Sequence, residues 1–415
     1  MSDVESAATA VKSRVRARYL AFAKSFYACF YAAGAFLAPY LALYYSDLGL
    51  SGGQIGVLRG IAPLVSVVAA PAWGAFADLT RRHKLVRSVA ILGTWLAVLG
   101  LALGRRYAEL FIAAFLFAIF GAPITSLVDN AVLAVLGRDR ARYGQQRLWG
   151  AVGWGIGGWI SGFLIERYGL TWSFAGYLVL MAFTGLLALG IPSAAGETEH
   201  PKGVGEGRAS APTPKRPASF LADLRRLASN GAWVAFLFAS LIGCLYLGVE
   251  TSYLFLYLRD LGADESLMGT ALALMTLAEV PVWFLAPRML DRWGARGLLA
   301  IALGAGTVQA LIYSVLPAPW VALPVQLLHG LAFSAMWTAG VAYAADIAPP
   351  GTEATALGVH AAVQMGLGRA LAAYVGGILL TTIGGAQTFR LTAFTSLAAL
   401  ALVLVGVHRR KRVRA

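Results

Sequence analysis

The chain has 415 residues, of which 59% are hydrophobic and only 13% are charged, and its formal net charge is +14. Soluble domains average about 25% charged residues, so this composition excludes an ordinary soluble protein. The basic residues stand in short clusters between apolar runs and no nucleic-acid-binding motif is visible, so the positive charge does not indicate nucleic acid.

Long apolar runs, such as residues 110–128 and 391–407, recur along the chain. Runs of this length cross about 30 Å of hydrocarbon as helices, and they lack the period-two alternation of barrel strands. We therefore predict an all-α membrane protein. Its twelve spanning helices are predicted at residues 20–45, 54–77, 86–103, 108–136, 146–165, 172–191, 232–257, 267–290, 297–316, 319–345, 354–381 and 386–407.

The basic clusters predict the orientation of the chain. An even number of spans places both termini on one side, and most basic clusters, including Arg225 and Arg226, fall on that side. The positive-inside rule then makes both termini cytoplasmic, in a bacterial-type inner membrane. Residues 1–19 are predicted as a cytoplasmic N-terminal segment and residues 408–415 as a cytoplasmic basic tail.

Residues 192–231 differ in composition from the spans, because they are rich in Pro, Gly, Ser and charge. Such a composition predicts a flexible cytoplasmic linker, here with a short surface helix near residues 220–227. The linker separates an N-terminal six-helix bundle, residues 20–191, from a C-terminal six-helix bundle, residues 232–407.

The two halves repeat each other at a constant offset of 213 residues. Asp47-Leu-Gly recurs as Asp260-Leu-Gly, Asp78 recurs as Asp291, and Gly153 recurs as Gly366. A parallel repeat of two six-helix halves resembles the organisation of major facilitator transporters. It implies two pseudo-symmetric halves that rock about a central cavity.

The loop after the second span resembles the cytoplasmic signature of the major facilitator superfamily: a glycine, three residues, an aspartate and then a basic cluster. Leu79 and Arg81 stand where that family has a basic residue and a glycine. Ordinary positive-inside charge is the alternative explanation. The resemblance and its repeat imply a conformational latch formed by Gly74, Asp78, Arg82, Lys84, Asp291 and Arg292.

The fifth span, from Tyr143 to Trp154, resembles the corresponding stretch of the lactose permease group. Arg147 falls on the arginine that binds sugar hydroxyls in that group, and Asp129 falls where the group has its carboxylate partner. The resemblance implies that Asp129 and Arg147 bind the solute, with the acid orienting the planar guanidinium fork. A purely structural ion pair between two helices is the alternative.

Two further acids and a histidine lie within spans. Glu250 and His329 resemble members of the proton-coupling network of the lactose permease group, although Ala332 stands where that group has its proton-carrying glutamate. Charges inside the membrane are costly and mark proton relays or buried partners. We predict that Glu250 and Glu279 carry the proton and that His329 relays it; polar contacts between helices are the alternative.

The remaining charges and aromatic side chains inside spans add candidates for solute binding. His360 stands opposite Arg147 in the repeat, and Arg369 lies deep in the eleventh span, where it pairs with an acid or attracts an anionic solute. Aromatic rings stack on sugars or nucleobases, although they also fill packing and mark interfaces. The predicted solute-binding residues are Asp129, Arg147, Tyr27, Tyr31, Trp149, Trp337, His360 and Arg369.

Most of the chain resembles the branch of the superfamily that contains phenylpropionate permease-like and nucleoside permease-like proteins. Typical stretches are residues 48–56, 71–74, 278–281 and 326–330. The function that we predict is a proton-coupled symporter that imports a small polar solute, a sugar or a nucleoside, by alternating access. The rivals are an importer of aromatic or other organic acids, with Arg369 and Arg147 as anion sites, a proton-driven exporter of metabolites or drugs, and a membrane scaffold or sensor.

Motifs for enzymatic chemistry are missing from the sequence. It contains no Walker motif, no His/Cys metal spacing and no nucleophile elbow, so we predict no enzyme, no metal and no cofactor other than the proton gradient. The expected partners are the solute, protons and the lipid bilayer, without nucleic acid, and the expected state is a monomer.

Overall fold

The computed structural model describes residues 2–192 and 217–405. Every regular element in these two ranges is helical, which confirms the predicted all-α class. Helices satisfy their backbone hydrogen bonds internally, as a chain surrounded by hydrocarbon must.

Within the described residues, eleven helices are long and apolar enough to span a membrane. Six precede the predicted linker: α1 (Arg14–Asp47), α2 (Gly52–Thr80), α3 (His83–Leu103), α4 (Tyr107–Leu136), α5 (Tyr143–Tyr168) and α6 (Trp172–Leu189). The predicted surface helix follows as α7 (Pro217–Ala228). Five more span-length helices follow in the described part: α8 (Gly231–Asp260), α9 (Glu265–Tyr313), α10 (Pro319–Ile347), α11 (Glu353–Ile383) and α12 (Gly385–Val405).

Helix α9 contains two of the predicted spans. Its 49 residues are interrupted at Gly294, whose φ of 65° and ψ of 167° are not helical. Glycine adopts positive φ without a Cβ clash, so the helix breaks at this residue. The eleven long helices therefore provide the twelve spans that the sequence predicts, with the eighth and ninth joined at Gly294.

Several other spans are irregular within the membrane. Helix α1 passes through a 3-10 turn at Ala38–Tyr40, and α4 is interrupted before Ile124. Helices α10 and α11 contain π-helical segments, Leu331–Ala335 and Ala362–Gly368. Such segments are rare and frequently mark functional sites.

The described chain forms two compact units. One contains residues 2–192 and Ser252–Thr276, and the other contains residues 217–251 and 277–405. The end of α8 and the beginning of α9 therefore belong to the first unit. The predicted two bundles, residues 20–191 and 232–407, stay a prediction, while residues 193–216 of the predicted linker and the predicted tail at 408–415 lie outside the described residues.

In the first unit, α1 and α5 lie with their backbones in contact. A Cβ added at Gly153 would lie 2.1 Å from the carbonyl oxygen of Ala28, and one at Gly157 would lie 2.7 Å from the Cα of Ala32. Small residues permit such close helix packing in membranes. This approach brings the aromatic side chains of α1 beside the N-terminal part of α5.

The segment Ser252–Thr276 packs against earlier helices within the first unit. The Arg259 guanidinium donates to Asp47 Oδ1 over 2.6 Å, and a Cβ added at Gly162 would lie 2.4 Å from the carbonyl oxygen of Glu265. Helix α5 therefore contacts the beginning of α9 through small residues.

In the second unit, α10 lies directly on α9. A Cβ added at Gly330 would lie 2.2 Å from the carbonyl oxygen of Ala278 and 2.8 Å from the backbone nitrogen of Glu279. Only a glycine permits this approach. It places the neighbouring His329 on α10 next to Glu279 on α9.

Candidate solute and proton sites

The first polar cluster surrounds Asp129 on α4. The Tyr27 hydroxyl donates to Asp129 Oδ1 over 2.6 Å, whereas the Arg147 Nε atom stands 3.9 Å from the same oxygen. The hydrogen bond from the tyrosine is short and the ion pair with the arginine is loose. The structure thus brings together the two residues that the sequence paired, with Tyr27 as the nearer partner of the acid.

Two tyrosine rings hold the Arg147 guanidinium. Its central carbon lies 5.3 Å from the ring centroid of Tyr27 and 4.7 Å from that of Tyr31, within the range of cation–π attraction. The Arg147 and Asp129 side chains are 35% and 25% exposed. Because arginine has five N–H donors and the carboxylate has a second oxygen, this cluster retains hydrogen-bonding capacity for a bound solute.

Sequence reasoning missed Tyr143, whose hydroxyl interacts with both Asp129 and Arg147. The available signal was its spacing, because residues four apart on a helix share a face.

Trp149 was predicted to bind the solute but lies outside the cluster. It follows Arg147 by two residues, which places it about 200° around the helix, and it is 44% exposed and outside the cluster.

The second polar cluster lies in the other compact unit and is buried. His329 Nδ1 stands 2.8 Å from Glu250 Oε2, and the Gln309 amide donates to Glu250 Oε1 over 3.0 Å. Both carboxylate oxygens therefore have a partner. The structure brings Glu250 and His329 together as the sequence predicts, and it adds Gln309, which sequence reasoning missed.

Glu279 extends this cluster on the far side of the imidazole. Its Oε1 atom lies 3.8 Å from His329 Nε2, and its side chain is 17% exposed, whereas Glu250 and His329 are almost fully enclosed. A neutral imidazole donates from one nitrogen and accepts at the other. A histidine between two carboxyl groups can therefore pass a proton from the more accessible acid to the enclosed one.

Gln309 gave little signal in the sequence because it carries no charge. Buried charge does not identify a neutral amide in an apolar span. A buried amide nevertheless costs free energy unless it is hydrogen-bonded, so it needs a partner. Its position in an otherwise apolar stretch of α9 was the only available signal.

Three predicted solute-binding residues, Trp337, His360 and Arg369, lie in the second unit and are not part of the Asp129 cluster. Trp337 and Arg369 line a small cavity together with Cys244 and Gln364, and no described carboxylate forms an ion pair with Arg369. His360 is buried, its ring centroid lies 5.1 Å from that of Phe236, and neither ring nitrogen has a hydrogen-bond partner among the described residues. The structure therefore does not bring His360 into either cluster.

Four of the predicted latch residues, Gly74, Asp78, Arg82 and Lys84, lie in the last turns of α2 and at the start of α3. Asp291 and Arg292 lie within α9, just before its break at Gly294. Asp78 Oδ1 lies 3.6 Å from His83 Nε2, a partner that the signature does not predict. Arg81 ends α2 with a φ of 54°, at the position where the family has a glycine. In the second unit, the Arg292 guanidinium lies 5.7 Å from the Trp293 ring centroid. The latch role of these residues stays a prediction.

The twelve helical spans in the described part of the chain match the number in a transporter with the major facilitator fold. The chain belongs to the MFS_1 like family, whose model matches residues 20–391.

Several known proteins are similar to most of this chain. A maltose permease of Geobacillus stearothermophilus is 26% identical over 97% of this chain and 98% of its own length. A probable 3-phenylpropionic acid transporter of Escherichia coli (strain K12) is 28% identical over 88% of this chain and 92% of its own. The crystal structure of the nucleoside transporter NupG superposes with a TM-score of 0.78 at 15% identity, covering 94% of this chain and 98% of that one. The last likeness supports the fold alone.

Proposed function

We propose that the protein is a proton-coupled symporter that imports a small polar solute, a sugar or a nucleoside, by alternating access. The observation that supports this proposal most is the loose pair of Asp129 and Arg147, which stand 3.9 Å apart with side chains that are partly exposed and thus accessible to a solute. The similar maltose permease is consistent with a hydroxylated solute.

The chemistry of the first cluster matches hydroxyl groups. A hydroxyl group both donates and accepts, so neighbouring hydroxyls can donate to the Asp129 carboxylate and accept from the Arg147 guanidinium. The rings of Tyr27 and Tyr31 keep the guanidinium in place through their faces. A sugar, or the ribose of a nucleoside, offers such hydroxyls on adjacent carbons.

The second cluster supports proton coupling. In our proposal, Glu279 exchanges the proton with water, His329 passes it on and Glu250 holds it. The proton gradient supplies the energy, and no other cofactor takes part. We also propose that the protein is a monomer in a bacterial inner membrane with both termini in the cytoplasm.

Proton flux in proteoliposomes tests the proposal. The purified protein is reconstituted with a pH dye outside, and sugars, nucleosides and aromatic acids are added in turn. We expect one of the first two classes to alkalinise the outer medium as it enters, and the Glu250→Gln variant to lose this signal. Counterflow of a labelled solute without proton movement would show a uniporter or exchanger and would contradict the roles of Glu250 and Glu279.

Arg369 favours a second candidate function, the import of organic acids. A cation in a small cavity without a described acidic partner attracts an anionic solute, because an unpaired charge inside a membrane is costly. Uptake that is inhibited by carboxylates but not by neutral sugars, and that Arg369→Gln abolishes, would support this candidate over the first.

A further inference from the structure

Gln309 is the least expected member of the buried cluster. It lies in the second span of α9 and is fully buried. Its Nε2 atom stands 3.0 Å from Glu250 Oε1 and 3.3 Å from the Tyr313 hydroxyl, while its Oε1 atom has no hydrogen-bond partner among the described residues. The amide is therefore bonded on its nitrogen side and unbonded on its oxygen side.

Protonation of Glu250 would change its carboxyl group from a hydrogen-bond acceptor into a donor towards its neighbour. A carboxylate only accepts hydrogen bonds, whereas a carboxylic acid also donates one. A side-chain amide has donors on one side and an acceptor on the other, and a half-turn about its terminal bond exchanges them. Gln309 can thus donate to the carboxylate and, after turning, accept from the acid.

The surroundings of Gln309 allow this turn, although one end of the amide is unbonded in either orientation. Because its oxygen has no partner, turning the amide breaks no hydrogen bond on that side. The Tyr313 hydroxyl can accept from the amide nitrogen in one orientation and donate to the amide oxygen in the other. Each orientation keeps both Glu250 and Tyr313 hydrogen-bonded.

We propose that Gln309 is a positioning residue of the proton site, whose amide turns as Glu250 gains or loses a proton. This inference rests on the proposed function, since it assumes that Glu250 is titrated during transport. It extends that function by naming the group that gives the buried carboxyl a partner in both states.

Infrared difference spectroscopy across a pH series tests this role without a known solute. Protonation of Glu250 produces a carboxylic acid C=O band, which is assigned by its loss in Glu250→Gln. In the unchanged protein, we expect an amide band of Gln309, assigned by its loss in Gln309→Met, to change at the same pH midpoint as the Glu250 band.

Gln309→Met keeps the volume of the side chain and removes both hydrogen bonds, and Gln309→Asn withdraws the amide by one methylene. In both variants, we expect the midpoint of the Glu250 band to rise by about one pH unit, because the charged carboxylate loses the stronger hydrogen bond. Thr307→Val is the matched control, since this buried hydroxyl on the same helix donates only to the Leu303 carbonyl, over 2.8 Å, and the midpoint should not move.

Three results would overturn the inference: an unchanged midpoint in both Gln309 variants, the absence of a coupled amide band, or the absence of any band that depends on Glu250. The first two outcomes are separable from failure of the proposed function, whereas the third contradicts both. If the Gln309 dependence is found but no solute drives proton flux in proteoliposomes, symport is wrong while the pairing of Gln309 with Glu250 stands.

Discussion

The two polar clusters differ in how tightly they are held. Around Asp129 the charges are partly exposed, the ion pair measures 3.9 Å, and tyrosine rings support the arginine from its faces. Around Glu250 the groups are enclosed, and the contact to His329 measures 2.8 Å. The charged groups of the first cluster are accessible to water, whereas those of the second are enclosed and contact one another.

In the proposed function, this difference corresponds to two tasks, solute binding and proton binding. A group that binds a solute must exchange hydrogen bonds with water for hydrogen bonds with the solute, so partial exposure and spare donors suit it. A group that holds a proton needs a defined environment that favours neither protonation state strongly, and enclosure with hydrogen-bonding neighbours provides it. Variants that disturb one cluster and leave the other intact test this comparison.

The largest effect is expected from Asp129→Asn, which keeps the shape but removes the charge that Tyr27 and Arg147 share. We expect binding of the transported solute to fall below detection, a loss on the order of a hundredfold or more. Equilibrium binding of whichever solute the unchanged protein accumulates is the measurement. Asp139→Asn removes an acid from the exposed pair with Arg16 in the same unit and is the control. Unimpaired affinity in Asp129→Asn would remove the acid from the solute site.

The second largest effect is expected from Gly330→Ala, which disturbs only the buried cluster. The new methyl group would collide with the Ala278 carbonyl and push Glu279 away from His329. Overpacking of this kind costs about 1–3 kcal/mol, so we expect proton-driven uptake to fall roughly thirtyfold, while solute counterflow, which needs no net proton movement, continues.

Gly304→Ala is the matched control for that variant. It lies in the same unit, and a Cβ added there meets no heavy atom within 4 Å. Equal loss of uptake and counterflow in Gly330→Ala would indicate a general packing defect rather than a displaced proton site.

A smaller effect is expected from Arg147→Lys, which tests whether the first cluster needs only the positive charge of Arg147 or also its planar shape. Lysine keeps the charge and the attraction to the tyrosine rings but lacks the planar fork of donors. We expect the Kd for the solute to rise roughly tenfold, with the proton dependence of uptake unchanged. Full affinity in the lysine variant would mean that only the charge matters at this position.

The smallest effect is expected from Arg259→Gln, which removes an ion pair that belongs to neither cluster. Arg259 and Asp47 are 2.6 Å apart, and their side chains are 31% and 52% exposed. Exposed pairs contribute about 0–1 kcal/mol, so thermal unfolding in detergent should shift by about 2 °C or less. A decrease on the order of 10 °C would show that this contact is far more than a surface pair.

Much of the fold could be predicted because membrane insertion leaves local signals. Apolar runs and basic clusters suffice to place twelve spans, and the structure differs chiefly at Gly294, where two spans join without a loop. The grouping of Asp129 with Arg147, and of Glu250 with His329, followed from the resemblance to the lactose permease group. The cost of charge inside a membrane supports both groupings.

The rest of the two clusters depends on packing that the sequence does not reveal. Tyr143 and Gln309 are neutral, so no rule about buried charge selects them. His360 matches Arg147 in the repeat, but the structure buries it against Phe236 instead of placing it in a cluster. The close approach at Gly330, which sets the position of Glu279, depends on which helix lies opposite, and a single sequence gives no such information.

The first compact unit is formed by two separate segments of the chain, and this has a consequence for biosynthesis. Its segment Ser252–Thr276 leaves the ribosome only after the first six spans, the predicted linker and most of α8. Until then, Asp47 has no Arg259 beside it, and the small-residue surface at Gly162 has nothing to pack against from α9. The N-terminal half is thus not a finished folding unit when its sixth span has been inserted, and a chain cut at the linker would lack part of the packing that completes it.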